Sequence, residues 1–263
     1  MNINLNDYDF VIVNTSGGKD SQAMTDYLYR LAEKQNAHHK LVMVHADLGR
    51  VEWKGTRKLI EKHSVHYDIP LFVVNRENGD LLDQVEKRGM WPDARNRYCT
   101  SDQKRAPISK LITMLVNTAR NKHGRPARIL NCLGFRADES PARAKREVFS
   151  KDDRLTNSRR TVNVWLPIHT WTVEQVWECI KKSGVTHHYA YDLGMPRLSC
   201  CFCIFAPTSA LRLAGKHNPE LLAEYVRIEK KINHSFKHKL KLETIQNELD
   251  SGVEAGPIQN WTM

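Results

Sequence analysis

The chain reads as an α/β protein: a mostly parallel, twisted sheet flanked by helices, followed by a helical, cysteine-containing region. Three observations predict this. Short apolar runs recur at Phe10–Val13, Leu41–Val44, Leu71–Val74 and Ile129–Leu133, and segments of helical spacing lie between them; strands alternating with helices imply a parallel sheet. The first run leads straight into the glycine-containing stretch Ser16-Gly17-Gly18-Lys19-Asp20-Ser21. From about Val162 the pattern changes, first to a loop rich in His, Tyr, Gly and Pro, then to a cysteine cluster and a Lys- and Glu-rich tail.

Taken in order, Ala23, Met24, Tyr27, Leu28 and Leu31 fall on one face of a helix after the glycine stretch. Leu59-Ile60, Leu81-Leu82-Val85 and the set Ile108, Leu111, Ile112 and Leu115 mark three more helices. The arginine-rich segment 136–160 has few apolar residues and is expected to be a mobile, solvated loop crossing a ligand site. A last strand is expected to end at Trp165–Ile168. Thr172 is placed to cap a helix over Val173–Lys182, and two tail helices are expected near Pro219–Asn233 and Lys239–Leu249. The expected organisation is a nucleotide-binding α/β region over residues 1–165 and a helical region with metal-binding cysteines over 166–263, packed on the first.

The glycine stretch is built for phosphate. Gly17 and Gly18 let the backbone approach an anion without a Cβ in the way, and the helix that follows offers unpaired N–H groups and the positive end of its dipole. Lys19 adds a charge; Ser16 and Ser21 add hydroxyls. It is not a Walker A loop, because Val13 stands where that motif needs its first glycine. Ligands in such sheets lie beyond the carboxyl ends of the strands, so Ser16–Ser21, Asp47–Gly49 and Gly134 onward are expected on one rim.

The stretch resembles the SGGKDS signature of the PP-loop ATP pyrophosphatases, which cleave ATP between its α and β phosphates. His45-Ala46-Asp47-Leu48-Gly49 resembles that superfamily's second motif, in which Asp47 would orient Mg²⁺ or bond a ribose hydroxyl. Gly134-Phe135-Arg136-Ala137-Asp138-Glu139-Ser140-Pro141-Ala142-Arg143 resembles the G-x-R-x-x-E-S-x-x-R stretch of the phosphoadenosine phosphosulfate (PAPS) reductase branch. There Gly134 would let adenine approach, Glu139 and Ser140 would contact the nucleotide, and Arg136 and Arg143 would meet phosphate or sulfate oxygens. Pro167-Ile168-His169-Thr170-Trp171-Thr172, running on to Val176-Trp177, is similar to another signature of the branch; both tryptophans are expected to pack. Cys132 and Cys179 read as core residues.

Six cysteines are present, read as thiols or metal ligands rather than disulfides. Cys99 aligns with a stretch that begins with a Cys pair in iron–sulfur relatives, and Cys200-Cys201-Phe202-Cys203 supplies a C-x-x-C. The resemblance implies a [4Fe–4S] cluster on Cys99, Cys200 and Cys203. Tyr98 stands in place of the first Cys of the pair, so the fourth ligand is open: Cys201, a non-protein ligand or an unfilled iron position. Zinc is the alternative, with His187, His188 and His217 available.

Among sulfur-inserting relatives the chain looks most like the DNA phosphorothioation proteins. That resemblance implies ATP and Mg²⁺ as cofactors, activation of a DNA backbone phosphate, sulfur from a cysteine desulfurase partner, and further components of such a system. Lys19, Asp20, Arg136 and Arg143 would be catalytic. Lys and Arg total 40 against 30 Asp and Glu, an excess that suits a polyanion; Arg95, Arg97, Lys104 and Arg105 are the candidate DNA contacts. Two alternatives stand beside it. One is a PAPS or adenylylsulfate reductase, disfavoured by the intact loop and by the lack of a Cys after Cys203. The other is a non-catalytic nucleotide- and nucleic-acid-binding module. No apolar stretch is long enough to span a bilayer and the N-terminus is not signal-like, so a cytoplasmic location is expected.

Overall fold

The computed structural model describes residues 3–258 and 261. Met1, Asn2, Gln259, Asn260, Thr262 and Met263, at the ends of the two expected regions, lie outside the described residues. The chain forms two compact units, each discontinuous in sequence. The first comprises Met1–Ala46, Gly55–Val74 and Ile108–His188, and the second Asp47–Lys54, Asn75–Pro107 and Tyr189–Met263. This grouping differs from a division at 165/166. The helix after Trp165 belongs with the sheet, and the segment carrying Cys99 belongs with the C-terminal helices.

The first unit holds a six-stranded sheet of β1 (Phe10–Asn14), β2 (Leu41–Ala46), β3 (Leu71–Val74), β4 (Ala127–Cys132), β5 (Phe149–Lys151) and β6 (Arg160–Trp165). The strand order is β3-β2-β1-β4-β6-β5. All pairs are parallel except β5–β6, where Phe149 faces Trp165. β1 is central: Val11 pairs with Leu41 on one side and Leu130 on the other. Val11, Ile12 and Val13 are all fully buried, as a strand covered on both faces requires.

Alternation along the strands separates two cores. Val11, Val13, Leu41, Met43, Leu130 and Cys132 pack with Ala23, Met24 and Leu28 of α1 (Lys19–Lys34) and Ile60 of α2 (Thr56–Tyr67). Val176 and Ile180 of the helix capped by Thr172 complete that face. On the other face Ile12, Val42, Val44, Ile129 and Val162 pack against Leu111, Ile112, Leu115 and Val116. The chain leaves β1 toward β2 and β3, then returns to the opposite side as β4. The switch point of the sheet therefore lies between β1 and β4, where ligands of open α/β sheets bind.

The second unit contains α3 (Leu81–Arg88), the single turn α4 (Tyr98–Thr100) and a π-helical segment, Ser101–Arg105, leading into α5 (Ala106–His123), which belongs to the first unit from Ile108 onward. After α6 (Pro141–Ala144) and α7 (Val173–Ser183) of the first unit, it continues with α8 (Thr208–His217), α9 (Pro219–Ile232) and α10 (Leu242–Asp250). Its core gathers Trp53, Leu82, Trp91, Phe202, Tyr225, Phe236 and Leu242. Trp91 stacks on Tyr225 with ring centroids 5.2 Å apart. The buried Glu229 carboxylate accepts the N–H groups of Phe236 (2.6 Å) and Leu242 (2.8 Å), which pins the turn between α9 and α10.

Segment 136–160 is largely solvent-exposed, as expected, but it is not an irregular loop. It folds into a 3₁₀ turn (Ala137–Glu139), α6, and β5 of the sheet edge. Its charged residues bond one another and the loop after β1, so the shortage of apolar residues is made up by ion pairs. The tail helix expected from Lys239 begins at Leu242, because Lys239 has φ 62° and sits in the turn before it. Among the described residues no helix is long and apolar enough to cross a membrane.

Candidate functional site

The loop between β1 and α1 is tied at both ends by one hydroxyl. Ser21 Oγ donates to Gly18 O (2.8 Å) and accepts the Ser16 N–H (3.2 Å). Gly17 has φ 71°, a left-handed conformation that a side chain would strain. Gly18 is the N-cap and no side chain caps the helix. The first i→i−4 bond runs from Gln22 N to Gly18 O at 3.0 Å. The N–H groups of Lys19, Asp20 and Ser21 therefore precede the helical ladder and have no intrahelical acceptor. Lys19 is buried, with Nζ 3.5 Å from Asp20 Oδ2. The Thr15 hydroxyl, next to the loop, is buried without a hydrogen-bond partner.

The loop after β4 braces this one. A Cβ added at Gly134 would lie 3.0 Å from Asp20 O and 3.1 Å from Ser21 N. The glycine is thus required by close approach of the first turn of α1, a contact distinct from the adenine contact expected there. Arg136 is buried; its Nε donates to Asp20 Oδ1 (2.5 Å) and its Nη1 to Asp138 (2.5 Å) and Trp171 O (3.2 Å). Burial disfavours its charge, but Asp20 and Asp138 hold its pKa above the usual value. Arg136 therefore neutralises the acidic residue of the loop, where a contact to a ligand anion was expected. Glu139 accepts the Arg136 N–H (2.9 Å) and pairs with Arg143 Nη1. Ser140 caps α6 by accepting the Arg143 N–H at 3.3 Å, and the Arg143 guanidinium lies 4.4 Å from the Phe135 ring centroid. The polar residues of this motif chiefly hold one another.

The packing residues behave as expected. Tyr27 meets Trp165 and Trp171 edge-on at 6.0 and 5.8 Å, and Trp177 meets His187 at 5.3 Å. His188 is buried against the Thr56 hydroxyl (3.2 Å). Cys132 is fully buried, while the half-buried Cys179 thiol lies 3.3 Å from Asp26 Oδ2. His217 is exposed at the end of α8.

In the second unit Asp47 Oδ1 accepts the Gly49 N–H at 2.8 Å. The four clustered cysteines divide there. Cys201 is buried in the core and its N–H donates to Val51 O at 2.8 Å. Cys99, Cys200 and Cys203 are half-buried. Burial pushes the Cys200 thiol up to about 12, with Lys104 opposing and the charges of Cys203 and Cys99 adding to the rise. Burial likewise raises Cys203, where Cys99 adds and Lys104 and Arg197 oppose. Lys237, held by Ala206 O at 2.8 Å, is a further cation acting on Cys203. Tyr98 is buried, with its hydroxyl donating to Met90 O (2.6 Å), so it packs in the position of the absent cysteine. Cys99, Cys200 and Cys203 are three soft donors of the kind that a thiolate-ligated metal centre uses, and the buried Tyr225 hydroxyl of this unit has no hydrogen-bond partner.

The four basic residues expected at nucleic acid separate as well. Lys104 is half-buried. Arg97 lies over the Phe205 ring at 4.9 Å. Arg95 and Arg105 are exposed. Tyr225 and Lys237 escape sequence reasoning because they sit in an ordinary-looking amphipathic tail, with nothing local to mark their cysteine neighbours.

Comparison with known proteins places this geometry in context. The profile of the phosphoadenosine phosphosulfate reductase domain matches residues 11–206. An adenosine 5'-phosphosulfate reductase of Staphylococcus haemolyticus is 24% identical over 197 residues, covering 74% of this chain and 70% of that one. An uncharacterized 37.8 kDa protein of Escherichia phage 186 is 28% identical over 160 residues, 61% of this chain but only 45% of that protein's length. A solved PAPS reductase from Candida auris, a phosphate complex, superposes with TM-score 0.48 at 16% identity, covering 72% of this chain and 80% of its own.

Proposed function

From the premise that the chain belongs to the phosphoadenosine phosphosulfate reductase domain family, we propose that it is a PP-loop ATP pyrophosphatase. It adenylates an oxyanion, a DNA backbone phosphate, for replacement of oxygen by sulfur. The observation that carries this reading is the intact loop: Gly17 in the left-handed turn, Ser21 locking its ends, and Lys19 beside the uncapped start of α1. An acceptor oxygen attacks the α-phosphorus of ATP. A P–O bond forms to the acceptor, the α–β bridging P–O bond breaks, and pyrophosphate leaves with the electron pair. Lys19 and the N–H groups of α1 hold the charge that develops, and catalysis is positioning and charge neutralisation. Arg136 positions the loop by neutralising Asp20, and Asp47 would be the residue that holds Mg²⁺, which when bound would neutralise phosphate charge.

A persulfide sulfur from a cysteine desulfurase partner then attacks the activated phosphorus: the P–S bond forms, the P–O bond to AMP breaks and AMP leaves with the electron pair, and a thiol reductant cleaves the remaining S–S bond to leave the sulfur on phosphorus. Cys99, Cys200 and Cys203 would hold a [4Fe–4S] cluster, which when bound supplies a soft site for sulfur or an electron. Arg95, Arg97, Lys104 and Arg105 are the proposed DNA contacts, and binding through them weakens steeply with salt. The test is release of pyrophosphate from ATP by anaerobically prepared protein, with and without DNA. Stimulation by DNA supports the reading; ADP and phosphate as products contradict it.

The adenosine 5'-phosphosulfate reductases among its relatives favour a second reading, reduction of a sulfonucleotide. Release of sulfite and AMP from adenosine 5'-phosphosulfate with a dithiol reductant, without ATP cleavage, would establish that reading instead.

A further inference from the structure

Thr15 joins β1 to the glycine loop. Its N–H donates to Val44 O (2.9 Å) and its carbonyl accepts from His45 Nδ1 (3.3 Å), so β2 engages both of its main-chain groups. The first of these bonds carries the parallel ladder one residue past Asn14, the end of β1. Side chains alternate along such a ladder. Val11 and Val13 pack against α1, whereas Asn14 donates to Asn131 Oδ1 and Cys132 O. Thr15 therefore faces the side that α1 covers, at the carboxyl end of the strand, where the chain climbs through Ser16–Gly18 to the uncapped start of that helix. The residue is only 5% exposed, and its hydroxyl has no hydrogen-bond partner among the described residues, a costly state for a buried donor. The loop serines are engaged with the loop itself. Ser21 Oγ gives its proton to Gly18 O at 2.8 Å, and Ser16 Oγ lies 3.5 Å from Ser21 Oγ. Thr15 thus carries a hydroxyl proton that no protein acceptor takes, beside the N–H groups that open α1 ahead of its helical ladder.

We propose that Thr15 is a binding residue of the loop: its hydroxyl donates to a phosphate oxygen of the nucleotide seated there, a contact that Ser21 gives up in locking the loop. The inference rests on the reading of the loop as an ATP site. A phosphate oxygen is an ionised acceptor, and a hydrogen bond to one is stronger than a bond between neutral groups. The hydroxyl also explains why a position that shares its face with Val11 and Val13 carries threonine, where valine would fill the same space.

The test measures ligand-free Tm, and the binding of ATP, pyrophosphate and AMP by titration calorimetry, in wild type, Thr15→Val and Thr15→Ser. Valine keeps the shape and removes the donor. It should leave the ligand-free Tm at or above that of wild type and lower ATP affinity roughly tenfold or more. A matching loss for pyrophosphate places the contact on the β or γ phosphate, and a matching loss for AMP places it on the α phosphate. Serine keeps the donor and removes a buried methyl, so it should lower Tm and hold wild-type affinity. ATP affinity unchanged in Thr15→Val, or lost together with ligand-free Tm, overturns the inference and leaves the ATP reading standing. Wild-type protein that binds neither ATP nor pyrophosphate overturns the ATP reading itself. Should Thr15→Val fail to fold, Thr15→Ala takes its place: weaker ATP binding than in Thr15→Ser supports the inference, and equal binding overturns it.

Discussion

Replacing Gly134 by alanine isolates the contact that joins the two loops of the sheet unit. Gly134 does not occupy the positive-φ region, so an alanine meets no backbone penalty of its own. The added methyl meets backbone instead: Asp20 O at 3.0 Å, Asp20 C and Ser21 N at 3.1 Å. Backbone of a packed helix cannot swing aside as a side-chain end can, so the first turn of α1 must retreat by a few tenths of an ångström. Overpacking of this kind costs about 1–3 kcal/mol. At about 2–4 °C per kcal/mol for a chain of this size, the ligand-free protein should lose roughly 2–12 °C in Tm. The same retreat moves the N–H groups that face phosphate, and a roughly tenfold loss of ATP affinity, about 1.4 kcal/mol, should accompany it. Differential scanning calorimetry and titration calorimetry read the two effects. A ligand-free Tm equal to wild type, with ATP affinity alone reduced, would refute the bracing contact and restore the adenine as the group that needs the glycine.

Arg136→Ala should destabilise the protein by about 2–3 kcal/mol in denaturant unfolding. That is less than the ~3–5 kcal/mol of a fully buried pair, because Asp138 is half exposed. Arg136→Lys should not rescue it, since one ammonium cannot reproduce the fork that spans Asp20 and Asp138. Serine at Cys99, Cys200 or Cys203 should each lower iron content in anaerobic preparations, whereas Cys201→Ser should keep iron and lower Tm, because Cys201 is buried in the core. Burial works against the Asp9 carboxylate, but the Arg125 side chain and the Arg128 N–H outweigh it and hold its pKa below the usual value. A depressed folded pKa gives stability that is present above the unfolded value near 4 and lost as pH falls through the folded one. Acid titration of unfolding should therefore be less steep below about pH 4 in Asp9→Asn than in wild type.

The sheet was legible because its strands are near-continuous apolar runs, and the phosphate loop because glycine, lysine and serine occupy a strand-to-helix turn. α7 was legible from its cap, with Thr172 bonding the Gln175 N–H at 3.3 Å. Segment 136–160 misled because ion pairs hold it where apolar residues are scarce. Composition shows charges but not their pairing, so Arg136 and Arg143 read as ligand contacts although their guanidiniums meet Asp20, Asp138 and Glu139. Gly134 was legible as a close approach, but a sequence cannot say what approaches. In the cysteine region, the separation of Cys201 from its neighbours depends on which side of the chain faces Val51.

The central claim is cleavage of ATP at the α–β bond by the loop that holds Lys19. Phosphorus NMR of ATP and Mg²⁺ incubated with the anaerobically prepared protein and DNA tests it most directly. The account predicts pyrophosphate, with the AMP moiety left on the acceptor, and Lys19→Ala reducing the rate of pyrophosphate release by roughly 10²–10³. ADP and inorganic phosphate as the products, or pyrophosphate release unchanged in Lys19→Ala, would contradict it.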